Sequence, residues 1–110
     1  MRYLVVGSGG PGFASPEETL EVLSRIILPS FNALIELERK KKILAGGLPV
    51  GDRSFVFIVE AKSNDEVDQM LRRLPMWGML DWEVTPLQKF NARAKHERQT
   101  VRDIKKMVKK

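Results

Sequence analysis

The segment Ser54 to Ala61, SFVFIVEA, constrains this chain more than any other. Its β-branched and aromatic residues read as a strand, with Phe55, Phe57 and Val59 pointing one way and Val56 and Ile58 the other. Both faces are therefore apolar. A sheet built around such a strand cannot leave either face in water without cost, so the pattern bears on assembly as well as on fold.

The flanking segments give the order of elements. Arg2 to Val6 is a β-branched run that meets Gly7. Ser15-Pro16-Glu17-Glu18 is a capping box with proline at the first helical position, and Leu20, Leu23, Ile27, Phe31 and Leu34 follow at spacings of three and four, widened by Ile26 and Ile35. Pro29 inside that stripe removes a backbone hydrogen bond and is expected to kink or split the helix. The charged run Glu36 to Lys42 is read as a solvated helix end. Ile43 to Leu48 reads as a strand and Pro49 to Asp52 as a hairpin loop. Ser63, with Glu66 three residues on, opens a second helix whose buried stripe is Val67, Met70, Leu71 and Leu74; Pro75 stops it. Met76 to Leu80 is a loop, and Asp81 to Leu87 is a closing strand with Trp82 and Val84 alternating against Asp81, Glu83 and Thr85. The order βαββαβ predicts an α+β ferredoxin-like fold, a four-stranded antiparallel sheet with both helices on one face. The other face is left open. A second copy of the chain is the expected cover, giving a homodimer packed sheet to sheet or a higher homo-oligomer.

Composition removes several classes of function. The chain has 110 residues, room for one core, and its 43% hydrophobic and 30% charged content excludes wholesale disorder. It has no cysteine, so disulfides and thiolate chemistry are absent. No apolar run approaches the length of a membrane span and the N-terminus shows no signal-peptide pattern, so a cytoplasmic protein without membrane contact is expected. Gly7-Ser8-Gly9-Gly10-Pro11-Gly12 satisfies G-x-G-x-x-G after a strand, but the helix start lies beyond the last glycine and the residue about 20 positions on, Ile27, is no acid. No nucleotide cofactor is expected, although backbone N–H groups in that loop suit an anion. His, Asp and Glu show no metal-ligand spacing, so no metal is expected either.

The charge is concentrated at one end. Residues 89 to 110 hold nine Lys/Arg and two acids, a net +7, while the other 88 residues sum to −2. Residues 1–88 are read as the α+β domain and 89–110 as a basic helical extension. In the extension Phe90, Ala94, Val101, Ile104 and Val108 keep three-or-four spacing with Glu97 as a gap, a narrow apolar seam that needs a surface to lie on. A neighbouring subunit is the first reading and a solvated helix the second. Nucleic acid is a further alternative, disfavoured because the extension has one aromatic residue and no base-reading motif.

Ser63, Asn64, Asp65 and Glu66, then Leu74-Pro75, an aromatic loop, and Asp81, Glu83, Val84, Thr85, Pro86 and Leu87 together resemble the second half of the muconolactone δ-isomerase family. The resemblance covers about a third of the chain. It implies a ferredoxin-like dimeric α+β barrel and an activity that moves a double bond in an unsaturated lactone by proton transfer. The chain departs from the family where ionisable residues are expected on the first helix, since Ile26-Ile27-Leu28-Pro29-Ser30 contains neither acid nor base, and at Gly78 and Met79 in the loop.

These readings place a pocket along the open face of the sheet and the Met76 to Leu80 loop, with Tyr3, Phe55, Phe57, Trp77, Met79 and Trp82 as apolar walls. Glu83 is the candidate catalytic base, because a carboxylate facing a dry cavity has its pKa raised. The expected function is binding of a small organic molecule at a subunit-shared pocket, with proton-transfer isomerisation of an unsaturated acid or lactone as the enzymatic form. The alternative is a non-catalytic oligomeric binding or assembly module.

Overall fold

A computed structural model describes residues 1–10 and 12–109, so Pro11 of the glycine motif and Lys110 lie outside the described residues. The chain runs β1 (Arg2–Ser8), α1 (Pro16–Val22), a π-helical turn (Leu23–Ile27), α2 (Leu28–Arg39), β2 (Ile43–Gly47), β3 (Phe55–Glu60), α3 (Asn64–Arg72), a short 3-10 turn (Trp77–Met79), β4 (Asp81–Leu87) and α4 (Phe90–Val108). The four strands form one antiparallel sheet in the order β2-β3-β1-β4, which is the expected ferredoxin-like arrangement.

Register decides which apolar face is covered. Tyr3 lies opposite Val59, Val5 opposite Phe57, and Gly7 opposite both Phe55 and Trp82. Directly opposed residues share a face, and this set packs under the helices with Val67, Met70 and Leu71 from α3 and Ile27, Phe31 and Leu34 from the first helix. The other face carries Leu4 opposite Ile58 and Val6 opposite Val56, all half-buried, with Asp81, Glu83 and Thr85 along β4.

Both capping boxes form, and in the same way. The Ser15 hydroxyl accepts the Glu18 N–H at 3.1 Å while the Glu18 carboxylate accepts the Ala14 N–H at 3.0 Å. Ser63 accepts the Glu66 N–H at 3.2 Å and Glu66 accepts the Lys62 N–H at 3.2 Å. In each case the glutamate reaches one residue before the cap, satisfying a donor ahead of the helix.

The irregularity expected at Pro29 takes a specific form. A π-helical turn lies immediately before Pro29, with the Leu28 N–H bonded to the Leu23 carbonyl, and this wider turn takes up the missing proline donor while the helix continues to Arg39. Strand β1 also runs past Val6 to Ser8. Gly7 is a strand residue because the Trp82 indole fills its side-chain space: a Cβ there would stand 2.6 Å from Trp82 Cζ3.

Helix α4 lies outside this body. The molecule measures 73 × 27 × 23 Å, and Phe90 at the start of α4 is 94% exposed. Among the described residues no helix is long and apolar enough to cross a membrane.

Candidate functional site

The stripe of the first helix packs on the core through Leu34, Phe31 and Ile27. Ile27 and Leu23, at the two ends of the π turn, also wall a cavity of about 230 Å³. Gly10 and Phe13 of the loop after β1 close one side, Leu48, Asp52 and Arg53 of the β2–β3 connection another, and Met76, Met79 and Leu80 a third, with Phe55 at the start of β3. Phe31 and Phe55 meet with ring centroids 5.4 Å apart, tilted at 49°.

One hydrogen bond joins two walls. The Ser30 hydroxyl, fully buried, donates to the Ile26 carbonyl at 2.7 Å and accepts the Met76 N–H at 3.0 Å. Asp52 and Arg53 are the ionisable residues among those described around the cavity, and both stand at its rim. Asp52 accepts the Arg53 N–H through Oδ1 at 2.6 Å and the Ser54 hydroxyl through Oδ2 at 3.3 Å. The Arg53 guanidinium lies over the Phe13 ring, 5.4 Å from its centroid. The lining is largely apolar, with a cation and a carboxylate at one edge. Among the described residues no three His, Asp or Glu side chains gather where a metal ion would be held.

The six apolar residues singled out from sequence fall into different places. Phe55 and Met79 line the cavity. Phe57 lies in an adjoining cleft with Phe55, Leu34 and Ile43. Tyr3, Trp77 and Trp82 line a separate trough between α3 and β4. Trp82 donates its Nε1–H to the Trp77 carbonyl at 3.0 Å, Arg72 lies 4.6 Å over the Trp77 ring, and Phe57 meets Trp82 edge to face at 6.4 Å. Tyr3, Phe55, Phe57 and Trp82 all point to the helix-covered side, not the open face from which the pocket was expected; two-residue alternation puts them together, and the helices land on that side. Glu83 lies on the opposite face across from Val6, away from the cavity.

Phe13, Ile27, Asp52 and Arg53 were not singled out from sequence as site residues. Ile27 belongs to the apolar stripe that marks the first helix, but the stripe alone does not separate core residues from cavity residues. The loop residues carry no periodicity that would have found them.

Comparison with known proteins agrees with this architecture. A structure of muconolactone isomerase superposes with a TM-score of 0.67 at 17% identity, over 81% of this chain and 90% of that one. A 5-chloro-2-hydroxyhydroquinone dehydrochlorinase from Burkholderia phenoliruptrix AC1100, in complex with 2,5-dihydroxybenzoquinone, superposes with a TM-score of 0.60 at 25% identity, over 84% of this chain and 98% of that one. No curated protein sequence matches the chain. The sequence model described as muconolactone delta-isomerase matches residues 16–93, from the first helical residue into α4, and the chain therefore belongs to the muconolactone delta-isomerase family.

Proposed function

We propose that this protein binds a small unsaturated organic compound in the cavity between the π turn and Phe55, and isomerises it by proton transfer as an unsaturated acid or lactone. The cavity carries the reading: a largely apolar lining, with Asp52 and Arg53 at one rim, in a chain of the muconolactone delta-isomerase family. A homo-oligomer, cytoplasmic like its expected substrate pool, belongs to the same reading. The mouth of the cavity runs past Leu23 and Leu48, both exposed apolar side chains, and a second copy would close it against water.

Two carboxylates compete for the role of base. Asp52 is at the rim within one chain. Glu83 reaches a ligand only where a second copy brings its cavity mouth to the open sheet face, which is the subunit-shared form of the site.

A binding protein without turnover is the second reading, and one observation favours it: the first-helix wall, Leu23, Ile27 and Phe31, offers no ionisable group. Binding and turnover of a panel of unsaturated lactones and hydroxyquinones separate the two. A fall of roughly a hundredfold in either Asp52→Asn or Glu83→Gln, with the other unaffected, assigns the base. Binding with no turnover supports the second reading, and binding of no panel member removes both.

A further inference from the structure

Helix α4 differs from the rest of the surface in how its charge is arranged. Lys95, Arg98, Arg102, Lys105, Lys106 and Lys109 fall, at about 100° per residue, within an arc of about 100°. Glu97 and Asp103, the acids of the helix, lie off that arc, one on each side. From Lys95 to Lys109 the basic ridge runs about 21 Å along the helix axis. The match to the family ends at Arg93, before the ridge begins.

The ridge is not neutralised within the chain. Ion pairs among the described residues lie in the body, such as Arg25 with Glu21, Lys42 with Glu66 and Arg72 with Asp68, and none involves a base of α4. Arg102 donates to the neutral Gln99 side-chain oxygen at 2.6 Å. Every residue of α4 except Ala94 is exposed, so the helix is open to solvent all round. A row of like charges repels itself, and a polyanion laid along it relieves that repulsion. B-form DNA carries one phosphate per 3.4 Å of each strand, so the ridge spans about six phosphates of one strand. Its major groove, about 12 Å wide, admits an α-helix, whereas the major groove of A-form RNA is too narrow. An anionic membrane fits less well, because Glu97 lies within the apolar seam of Val101, Ile104 and Val108 that would face the acyl chains.

We infer that α4 lies in the major groove of duplex DNA, with the ridge from Lys95 to Lys109 on the phosphates of one strand. Contacts of this kind read the backbone and not the bases, so they require neither a base-reading motif nor stacking aromatic residues. The inference goes beyond the cavity and its ligand and depends on neither.

Fluorescence anisotropy of a labelled, mixed-sequence duplex of about 20 base pairs, titrated with the full chain, tests it. Binding at about 50 mM salt should weaken as salt rises, with log K against log salt falling at a slope of about −3 to −5. Arg98→Gln, Arg102→Gln and Lys105→Gln together keep good helix formers at exposed positions, so helical circular dichroism should be unchanged. That triple variant should bind at least about tenfold more weakly and lose about 3 from the slope. Lys41→Gln, Lys62→Gln and Arg73→Gln remove the same charge from the body and should bind like the wild type. No binding at low salt overturns the inference, as does an equal loss in the two triple variants. Duplex RNA or a single strand of the same sequence bound more tightly than the DNA duplex overturns it too. So does a preference, at equal phosphate concentration, for vesicles of phosphatidylserine and phosphatidylcholine, which would make α4 a membrane-surface helix.

Discussion

The Ser30 hydroxyl accepts a hydrogen bond from the Met76 backbone N–H at 3.0 Å, across 46 residues of sequence and with both groups buried. This contact fixes the first helix to the loop that follows Pro75, and so sets the spacing of two cavity walls. Ser30→Ala leaves the Met76 N–H without a partner in a site closed to water, at a cost of about 1–3 kcal/mol. Urea unfolding should show the midpoint falling with an unchanged slope. A midpoint equal to the wild type would mean that the loop relaxes to water and the contact does not set the spacing.

Gly7 and Trp82 form a second such pair. In Gly7→Ala the new Cβ would meet the indole at 2.6 Å, so Trp82 has to turn and give up its bond to the Trp77 carbonyl. The expected loss is about 1–3 kcal/mol, as for overpacking elsewhere, together with a shifted tryptophan emission spectrum. Unaltered emission would show that the ring stays in place.

Gly46 is less forgiving still. It has φ +151°, and a Cβ there would stand 2.5 Å from both the Phe57 Cβ and the Val56 carbonyl oxygen, neither of which is the end of a flexible side chain. Gly46→Ala should destabilise more than Gly7→Ala, and thermal melts of the two variants side by side test the order.

Glu66 gives the stability a pH dependence. The Lys62 N–H bonded to its carboxylate, aided by Lys42 at 3.5 Å, holds its pKa below the ordinary 4.5. A carboxylate with a lowered folded pKa contributes stability above its ordinary value and loses it as pH falls through the folded one. Glu66→Gln should therefore be less stable than wild type near neutrality, and the gap should close below about pH 4.5. A gap constant from pH 7 to pH 3 would assign the effect to packing alone.

Much of this fold is legible in the sequence because its local signals agree with one another. Ser15 and Ser63 mark the first two helix starts, Pro75 marks a stop, and Asp81 to Thr85 alternates apolar with polar along most of β4. The cavity is less legible, for a physical reason. Alternation in Phe55 to Val59 separates two faces, but when both are apolar nothing local says which one the helices cover. Tyr3, Phe55 and Phe57 were grouped correctly as neighbours and assigned to the uncovered side. The role of Gly7 depends on Trp82, a partner 75 residues away, and the rim pair Asp52 and Arg53 depends on where a hairpin loop comes to rest.

The two borders of the sheet are poor templates for another strand. On β4, Pro86 has no N–H to offer and Asp81 and Glu83 repel an incoming acidic copy of themselves. On β2, the ladder is five residues long and slips register between Ile43 and Ala45, next to the Gly46 contact. End-on growth of the sheet into a continuous ribbon is therefore disfavoured at both edges, by a missing donor and like charges on one side and by a short, slipped ladder on the other.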